Sequence, residues 1–280
     1  MKSTRSLFRV IGSAMLCIAF AGPSLAASCG GDFNTWLADF KRDAVSQGIS
    51  QRAIASALDG VTADPAVLSR DRGQRVFSQS FEQFSGRMIS ADRMRRGTAM
   101  LARHAATFAR IERQFGVPGP VLTAIWGLET DYGVNQGRYS IIRSVATLAH
   151  DCRRPDKFRG ELLDLLRIID RGDMAPSELR GDWAGEIGQT QFLPSSYLRF
   201  AVDFDGNGKR DLIHSVPDAL ASTANFLKSY GWRRGEPWSE GTANFNVLLE
   251  WNKARVYAKT IAAFAERLAA GSGGASTAIR

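Results

Sequence analysis

The chain has 280 residues, 44% of them hydrophobic, and a formal charge of +8 from 36 basic and 28 acidic side chains. That composition allows a sizeable core in one or two domains. The basic balance suits anionic partners such as cell-wall polymers or membrane surfaces. Nucleic acid is not expected as a partner, because neither a zinc-finger nor an RNP motif is present.

In chain order, the first element is a leader. Lys2, Arg5 and Arg9 precede an apolar stretch from Val10 to Phe20, and Ser24-Leu25-Ala26 offers a small-x-small cleavage site. Residues 1–26 therefore read as a secretory signal peptide, too short and wrongly flanked for a spanning helix. No later segment approaches the roughly 20 apolar residues that a span needs. The mature chain is expected to be exported to the periplasm and to lack a transmembrane segment. Its charge would be +5, since residues 1–26 hold three basic residues and no acid.

Export leaves Cys29 and Cys152 as an even pair in an oxidising compartment, and a disulfide between them is the first expectation. Two free thiols, or a lipid anchor on Cys29, are the alternatives. "LAASC" resembles a lipobox, but Leu25 lies one place too far from the cysteine.

From Phe33 to Phe115 the pattern is helical, and residues 27–116 are expected to form an N-terminal helical subdomain. "FNTWLADFKRDAVSQG" puts Phe33, Trp36, Leu37 and Phe40 on one face and stops at Gly48. A second helix begins at a Ser50 cap and stops at Gly60. A third begins at a Ser90 cap and runs to Gly116. "VPGP" then breaks the chain, and Pro118 and Pro120 stand before a new helix whose first turn tolerates proline.

Residues 117–238 carry the irregular, Gly- and aromatic-rich segments. Within them "AIWGLETDYG" places Glu129 in line with Trp126, Ile125 and Leu122 on an otherwise apolar helix face. Burial there, a helix C-terminus and the like charge of Asp131 would all raise the pKa of this carboxyl. A carboxylic acid still protonated near neutrality suits general-acid catalysis. The alternative is a glutamate that pairs with an arginine at the helix end. Gly127 inside the helix suggests close approach by another group.

After Trp238 the segment 239–270 is read as one last amphipathic helix, and 271–280, "GSGGASTAIR", as a disordered tail. No repeat and no sustained alternation appears, so the fold class is mainly α.

"GVPGPVLTAIWGLETDYG", "RSVATLAHDC", "FRGELLDLLRIIDRG", "DWAGEIGQTQFLPSSYLRFAVDFDGNGKRDL" and "DALASTANFLKSYGW" occur in that order. Together they resemble the membrane-bound lytic transglycosylase B type of murein transglycosylase, over roughly residues 33–260. The resemblance implies a lysozyme-like catalytic core with an accessory helical subdomain and a C-terminal helix returning to the cleft. It implies cleavage of the β-1,4 MurNAc–GlcNAc bond of peptidoglycan glycan strands, leaving a 1,6-anhydromuramic acid end.

By the motif match Glu129 would be the single acid/base, with the muramyl C6 hydroxyl as nucleophile. Ordinary glycosidases need two carboxylates. Gln191 would line the saccharide cleft with Gln189 beside it. Asn252 and Tyr257 match an Asn-x4-Tyr pair that reaches back towards the glutamate, and neutral groups can orient an acid without ionising it. Tyr132 is a further substrate-binding candidate, as are Trp126 and Trp183 by stacking, although each could equally be core.

Two departures stand out. Asp182 replaces a serine and Glu186 a small residue; Asp182 is a further substrate-binding candidate, while the plainer expectation is that both acids face solvent. Were either to act as base for water, the enzyme would be a hydrolase forming reducing ends. A non-catalytic wall-binding scaffold is the alternative from another class. Phe226 and Trp251 stand where some members have tyrosine.

"DFDGNGKRDLIH" fits the first half of an EF-hand loop. Asp203, Asp205 and Asn207 take positions one, three and five, Gly208 the turn, Lys209 a carbonyl at seven and Asp211 position nine. His214 stands at twelve, where a bidentate glutamate belongs. The resemblance implies closure by a later aspartate, which Asp218 matches with one residue inserted. A weak structural Ca²⁺ is expected and no cofactor for catalysis. A monomer is expected.

Overall fold

Side-chain caps set the helix starts. Asp32 accepts the N–H of Thr35, Ser50 that of Ala53, Ser90 that of Arg93, and Thr242 that of Phe245. The structure, a computed structural model, describes residues 29–73 and 79–273. The signal peptide assigned to residues 1–26 lies outside the described residues.

The first six helices are α1 (Phe33–Ser46), α2 (Gln51–Leu58), α3 (Pro65–Arg72), α4 (Phe81–Met88), α5 (Ala91–Arg103) and α6 (Ala105–Phe115). They are followed by α7 (Gly119–Thr130), α8 (Ile141–His150), α9 (Pro155–Asp170), α10 (Pro194–Phe200) and α11 (Val216–Ser229). The last two are α12 (Ala243–Trp251) and α13 (Arg255–Gly273). The only sheet among the described residues is a two-residue antiparallel pair, β1 (Tyr139–Ser140) with β2 (Arg180–Gly181). The mainly α expectation holds.

The centre is α7, whose Val121, Leu122, Ala124, Ile125, Trp126 and Leu128 are all buried. A helix apolar on every side is a core helix. It is enclosed by α5, α6, α11 and α13. Helices α1 to α3 pack on α8 and α9, and α4 packs on α13. One apolar cluster runs through these contacts from Trp36 to Leu268.

Three boundaries depart from the sequence reading. The single helix expected from Ser90 to Gly116 bends at His104, which ends α5 and begins α6 with φ −106° and ψ 22°. The bend lets Leu101 and Phe108 both press on Gly119, where a Cβ would sit 3.2 and 3.1 Å from their atoms. The single helix expected over 239–270 is split between α12 and α13. Asn252 turns extended there, with φ −143° and ψ 118°, and its Oδ1 accepts the N–H of Ala254 at 3.0 Å. Asparagine competes for backbone N–H groups in this way. At the tail, residues 271–273 continue α13 instead of being irregular. Residues 274–280 lie outside the described residues.

Cys29 and Cys152 are joined in a disulfide, with Cα atoms 5.1 Å apart, pinning the segment before α1 to the turn after α8. A sulfur used in this way cannot carry a lipid thioether, so the bond disfavours the anchor alternative at Cys29.

Candidate active site

Glu129 stands in the last turn of α7, and the chain leaves that turn in an unusual way. Asp131, Tyr132 and Gly133 have φ values of 51°, 65° and 82°. Only the glycine adopts such a conformation freely, so the other two must be held by their surroundings. Asp131 is held by Arg93, which pairs with its carboxylate at 2.7 Å, and by Arg96, which donates to its carbonyl at 2.6 Å. Tyr132 folds back over its own helix. Its hydroxyl donates to the Arg93 carbonyl at 2.6 Å, and its ring covers Gly127, where a Cβ would meet ring carbons at 2.8 and 2.9 Å. The close approach expected at Gly127 is therefore made by Tyr132.

That packing corrects the reading of Tyr132 as a substrate contact: it is 7% exposed and wedged edge-on to Trp126, itself 2% exposed. Gln189 is likewise a support. It is buried, its carbonyl accepts from the Thr130 hydroxyl at 2.5 Å, and its amide donates to Ile213 at 3.2 Å. Trp126 is core, and Trp183 is partly buried against the apolar cluster.

Two donors converge on the Glu129 carboxyl. The Trp251 indole N–H reaches Oε1 at 3.0 Å, and the Tyr257 hydroxyl makes a second hydrogen bond. Both come from the α12–α13 junction, where the break at Asn252 turns Trp251 towards α7. Burial pushes the Glu129 carboxyl up to about 7, against these two bonds, and the charge of Asp182 adds to the rise. The expected contribution of Asp131 is not found, because its carboxylate is engaged by Arg93. Burial and the neighbouring Glu129 also push Tyr257 well above the usual tyrosine range, so its hydroxyl stays neutral.

Glu129 lies at the meeting of two stretches of one cleft. One is lined by Glu186, Phe192, Phe226, Tyr230, Trp251 and Asn252. The other is lined by Asn135, Gln136, Arg138 and Asp182. Gln191 lines both. Its φ of 55° belongs to a tight turn closed by paired bonds between Ile187 and Phe192 at 2.7 and 2.9 Å. Gln191, Asn252, Tyr257 and Asp182 are thus brought to Glu129, and Gln189 and Tyr132 stand behind it.

The expectation that Asp182 and Glu186 face solvent is overturned. Both line the cleft, and burial together with the charges of Glu129 and Asp182 pushes Glu186 up to about 8. Glu186 and Trp251 stood out in the sequence only as departures from the family pattern, acid for small residue and Trp for Tyr, and nothing local placed either beside Glu129.

Residues 32–241 match the transglycosylase SLT domain family. The chain belongs to that family. Membrane-bound lytic murein transglycosylase B of Escherichia coli K12 is 34% identical over 155 residues, covering 55% of this chain and 43% of the relative. The match thus spans less than half of that curated relative. The crystal structure of SltB3 from Pseudomonas aeruginosa, in complex with NAG-anhNAM-pentapeptide, superposes with a TM-score of 0.81 at 32% identity. That likeness covers 86% of this chain and 80% of the other. Soluble lytic transglycosylase SltB1 from the same organism superposes with a TM-score of 0.80 at 25% identity, over 85% of this chain and 99% of that one.

In this transglycosylase SLT chain the acidic loop after α10 gathers carboxylate oxygens of Asp203, Asp205 and Asp218 within 4.8 Å of one another. None of the three has an ion-pair partner among the described residues, so an oxygen-seeking cation would suit them. Asp203 also draws the loop round itself, accepting from Gly206, Asn207 and Gly208 at 2.8, 3.1 and 2.8 Å. The buried Asp218 accepts the backbone N–H groups of Phe204 and Asp211 at 2.7 and 3.0 Å, which ties the first turn of α11 to the loop. The exposed Asn207 accepts the Lys209 N–H at 2.9 Å. Asp211 departs from the expected ligand set: its oxygens are taken by the backbone and ring of His214 at 2.8 and 3.0 Å.

Proposed function

We propose that this chain is a peptidoglycan lytic transglycosylase with Glu129 as its single acid/base. What carries the reading is the state of Glu129: a carboxyl at the floor of an open cleft, pushed up to about 7 by burial, with two neutral donors aimed at it. Such a group holds its proton near neutrality and is stabilised once it gives it up.

In the proposed reaction Glu129 gives its proton to the glycosidic oxygen as the C1–O bond of the muramyl residue breaks. The Trp251 N–H and Tyr257 hydroxyl stabilise the carboxylate that results. The muramyl C6 hydroxyl then bonds to C1 and returns its proton to Glu129, closing the 1,6-anhydro ring. The proton count balances within one carboxyl, and no cofactor is needed. Gln191 and Asn252 would hold the saccharide, with Phe226 and Trp251 as the apolar wall of the cleft. The family and the relatives above support this reading.

Mass spectrometry of the muropeptides released from purified sacculi tests it. Anhydro ends from the wild type, lost in Glu129→Gln, are the expected result. A second reading, a water-using muramidase, is favoured by the placement of Glu186 and Asp182 in the cleft, and it would give reducing ends in the same spectra.

Residues 1–26 would direct the chain to the periplasm, where the disulfide forms and a monomer meets glycan strands. Residues 27–116 would brace a catalytic core over 117–238, with 239–270 completing the cleft. The loop from Asp203 to Asp218 would hold a structural Ca²⁺ through Asp203, Asp205 and Asp218, with no part in the chemistry.

A further inference from the structure

Glu186 is not used by the reaction above, yet it shares the cleft with Glu129. We propose that Glu186 is a positioning residue for the catalytic acid: the two carboxyls form a coupled pair that keeps a proton on Glu129 over a wider range of pH than Glu129 would keep alone. This rests on the transglycosylase reading and adds to it the pH range over which the site works.

The position is fixed by backbone packing. A Cβ on Gly181 would lie 2.1 Å from the Glu186 carbonyl oxygen, and one on Gly185 would lie 2.2 Å from Val145 Cγ2. Next in sequence, Ile187 is bridged to Phe192. The carboxyl is thereby delivered to the cleft from a rigid turn and does not sit on a free loop.

The charges around it leave the pair without an ion-pair partner among the described residues: Arg138 lines the cleft beside Glu129 and Asp182 and forms no salt bridge with either. Glu129 comes from α7, Asp182 from the turn after β2, and Tyr257 from α13 with its hydroxyl on Glu129. At the α12–α13 junction Glu250 and Lys253 line the same cleft and pair with each other. Lys157 on α9 opposes the rise at Glu186 without forming an ion pair with it. Glu186 itself makes no hydrogen bond among the described residues, whereas Glu129 has two donors.

Two carboxyls in one partly buried site cannot both ionise easily, and the repulsion is mutual. Whichever ionises first holds the proton on the other. Part of the population with Glu186 ionised therefore still carries a proton on Glu129, at a pH where a lone Glu129 would have lost it. The alkaline limb of the rate profile should then be broad and composed of two steps.

The test uses the full chain and two readouts. Muropeptide release from sacculi is followed against pH for wild type, Glu186→Gln and Glu186→Asp. The rate of Glu186→Gln relative to wild type is expected to fall about tenfold between mildly acid and mildly alkaline pH, as for a shift of about one pK unit. Glu186→Asp, which keeps the charge, should recover part of the wild-type limb. A constant ratio across the range overturns the proposal. So do reducing ends that disappear in Glu186→Gln, because they make Glu186 a base for water.

Independently, ¹³C NMR titration of the side-chain carboxyls should show Glu129 moving in two steps in wild type and in one in Glu186→Gln. Should the variant not fold, the wild-type titration decides alone, a single step overturning the pair. Absence of release by wild type sinks the functional reading, and the titration still decides the coupling.

Discussion

Trp251 and Glu129 lie 122 positions apart in the chain and meet through one hydrogen bond, indole N–H to Oε1 at 3.0 Å. The bond favours the ionised form of a carboxyl that burial favours in its neutral form. Its strength therefore grows as Glu129 gives up its proton, which is when stabilisation lowers a barrier. Trp251→Phe keeps the ring and removes the donor. A hydrogen bond to a charged group contributes about 1.5–3 kcal/mol, so kcat is expected to fall by roughly 10- to 150-fold. The same change should raise the pKa of Glu129 and move the alkaline limb upward. A kcat within twofold of wild type would remove Trp251 from the mechanism.

Glu129 should also cost stability in a pH-dependent way. Its folded pKa, about 7, lies above its ordinary value of 4.5, so the folded chain binds the extra proton in between. Stability contributed by this group is present below about pH 4.5 and is lost as pH rises through about 7. Glu129→Gln is then expected to stabilise the protein by about 1–3 kcal/mol at mildly alkaline pH and by much less at acid pH. Urea unfolding at the two pH values checks this, and an equal effect at both would refute it.

Gly127→Ala tests the fold-back of Tyr132. The new methyl would sit 2.8–2.9 Å from the tyrosine ring, and the ring is buried between α5 and α7, so it has little room to move. Overpacking of this kind typically costs about 1–3 kcal/mol. On the proposed mechanism loss of activity should exceed loss of stability, because Tyr132 fixes the turn that follows Glu129. A thermal melt and a release assay on the same sample compare the two.

Calcium is expected to raise the melting temperature, and Asp205→Ala to abolish the increase. Asp205 is the cluster carboxylate to remove because Asp218 also holds the loop backbone through the N–H groups of Phe204 and Asp211. An equal rise in wild type and variant would place the ion elsewhere.

The helical class, the caps at Ser50 and Ser90, the stop at Gly116 and the odd position of Glu129 were all legible in the sequence. Each depends on residues within about one turn of one another, where periodicity and capping chemistry operate. The close contact at Gly127 was legible as a need but not as a partner, since its ring belongs to a residue beyond the helix end.

Tertiary structure alone decided the rest. Asp131 looked like the charge that would perturb Glu129, and Arg93 on another helix removed it. Asp182 and Glu186 looked like surface acids, and the turn that carries them faces the cleft. Trp251 and Tyr257 reach Glu129 only because α12 and α13 part at Asn252 and α13 packs along α7. Spacing along one helix is enough to put Glu129 in an apolar row. The charges and donors around that carboxyl come from elements far away in the chain, and only their packing sets them.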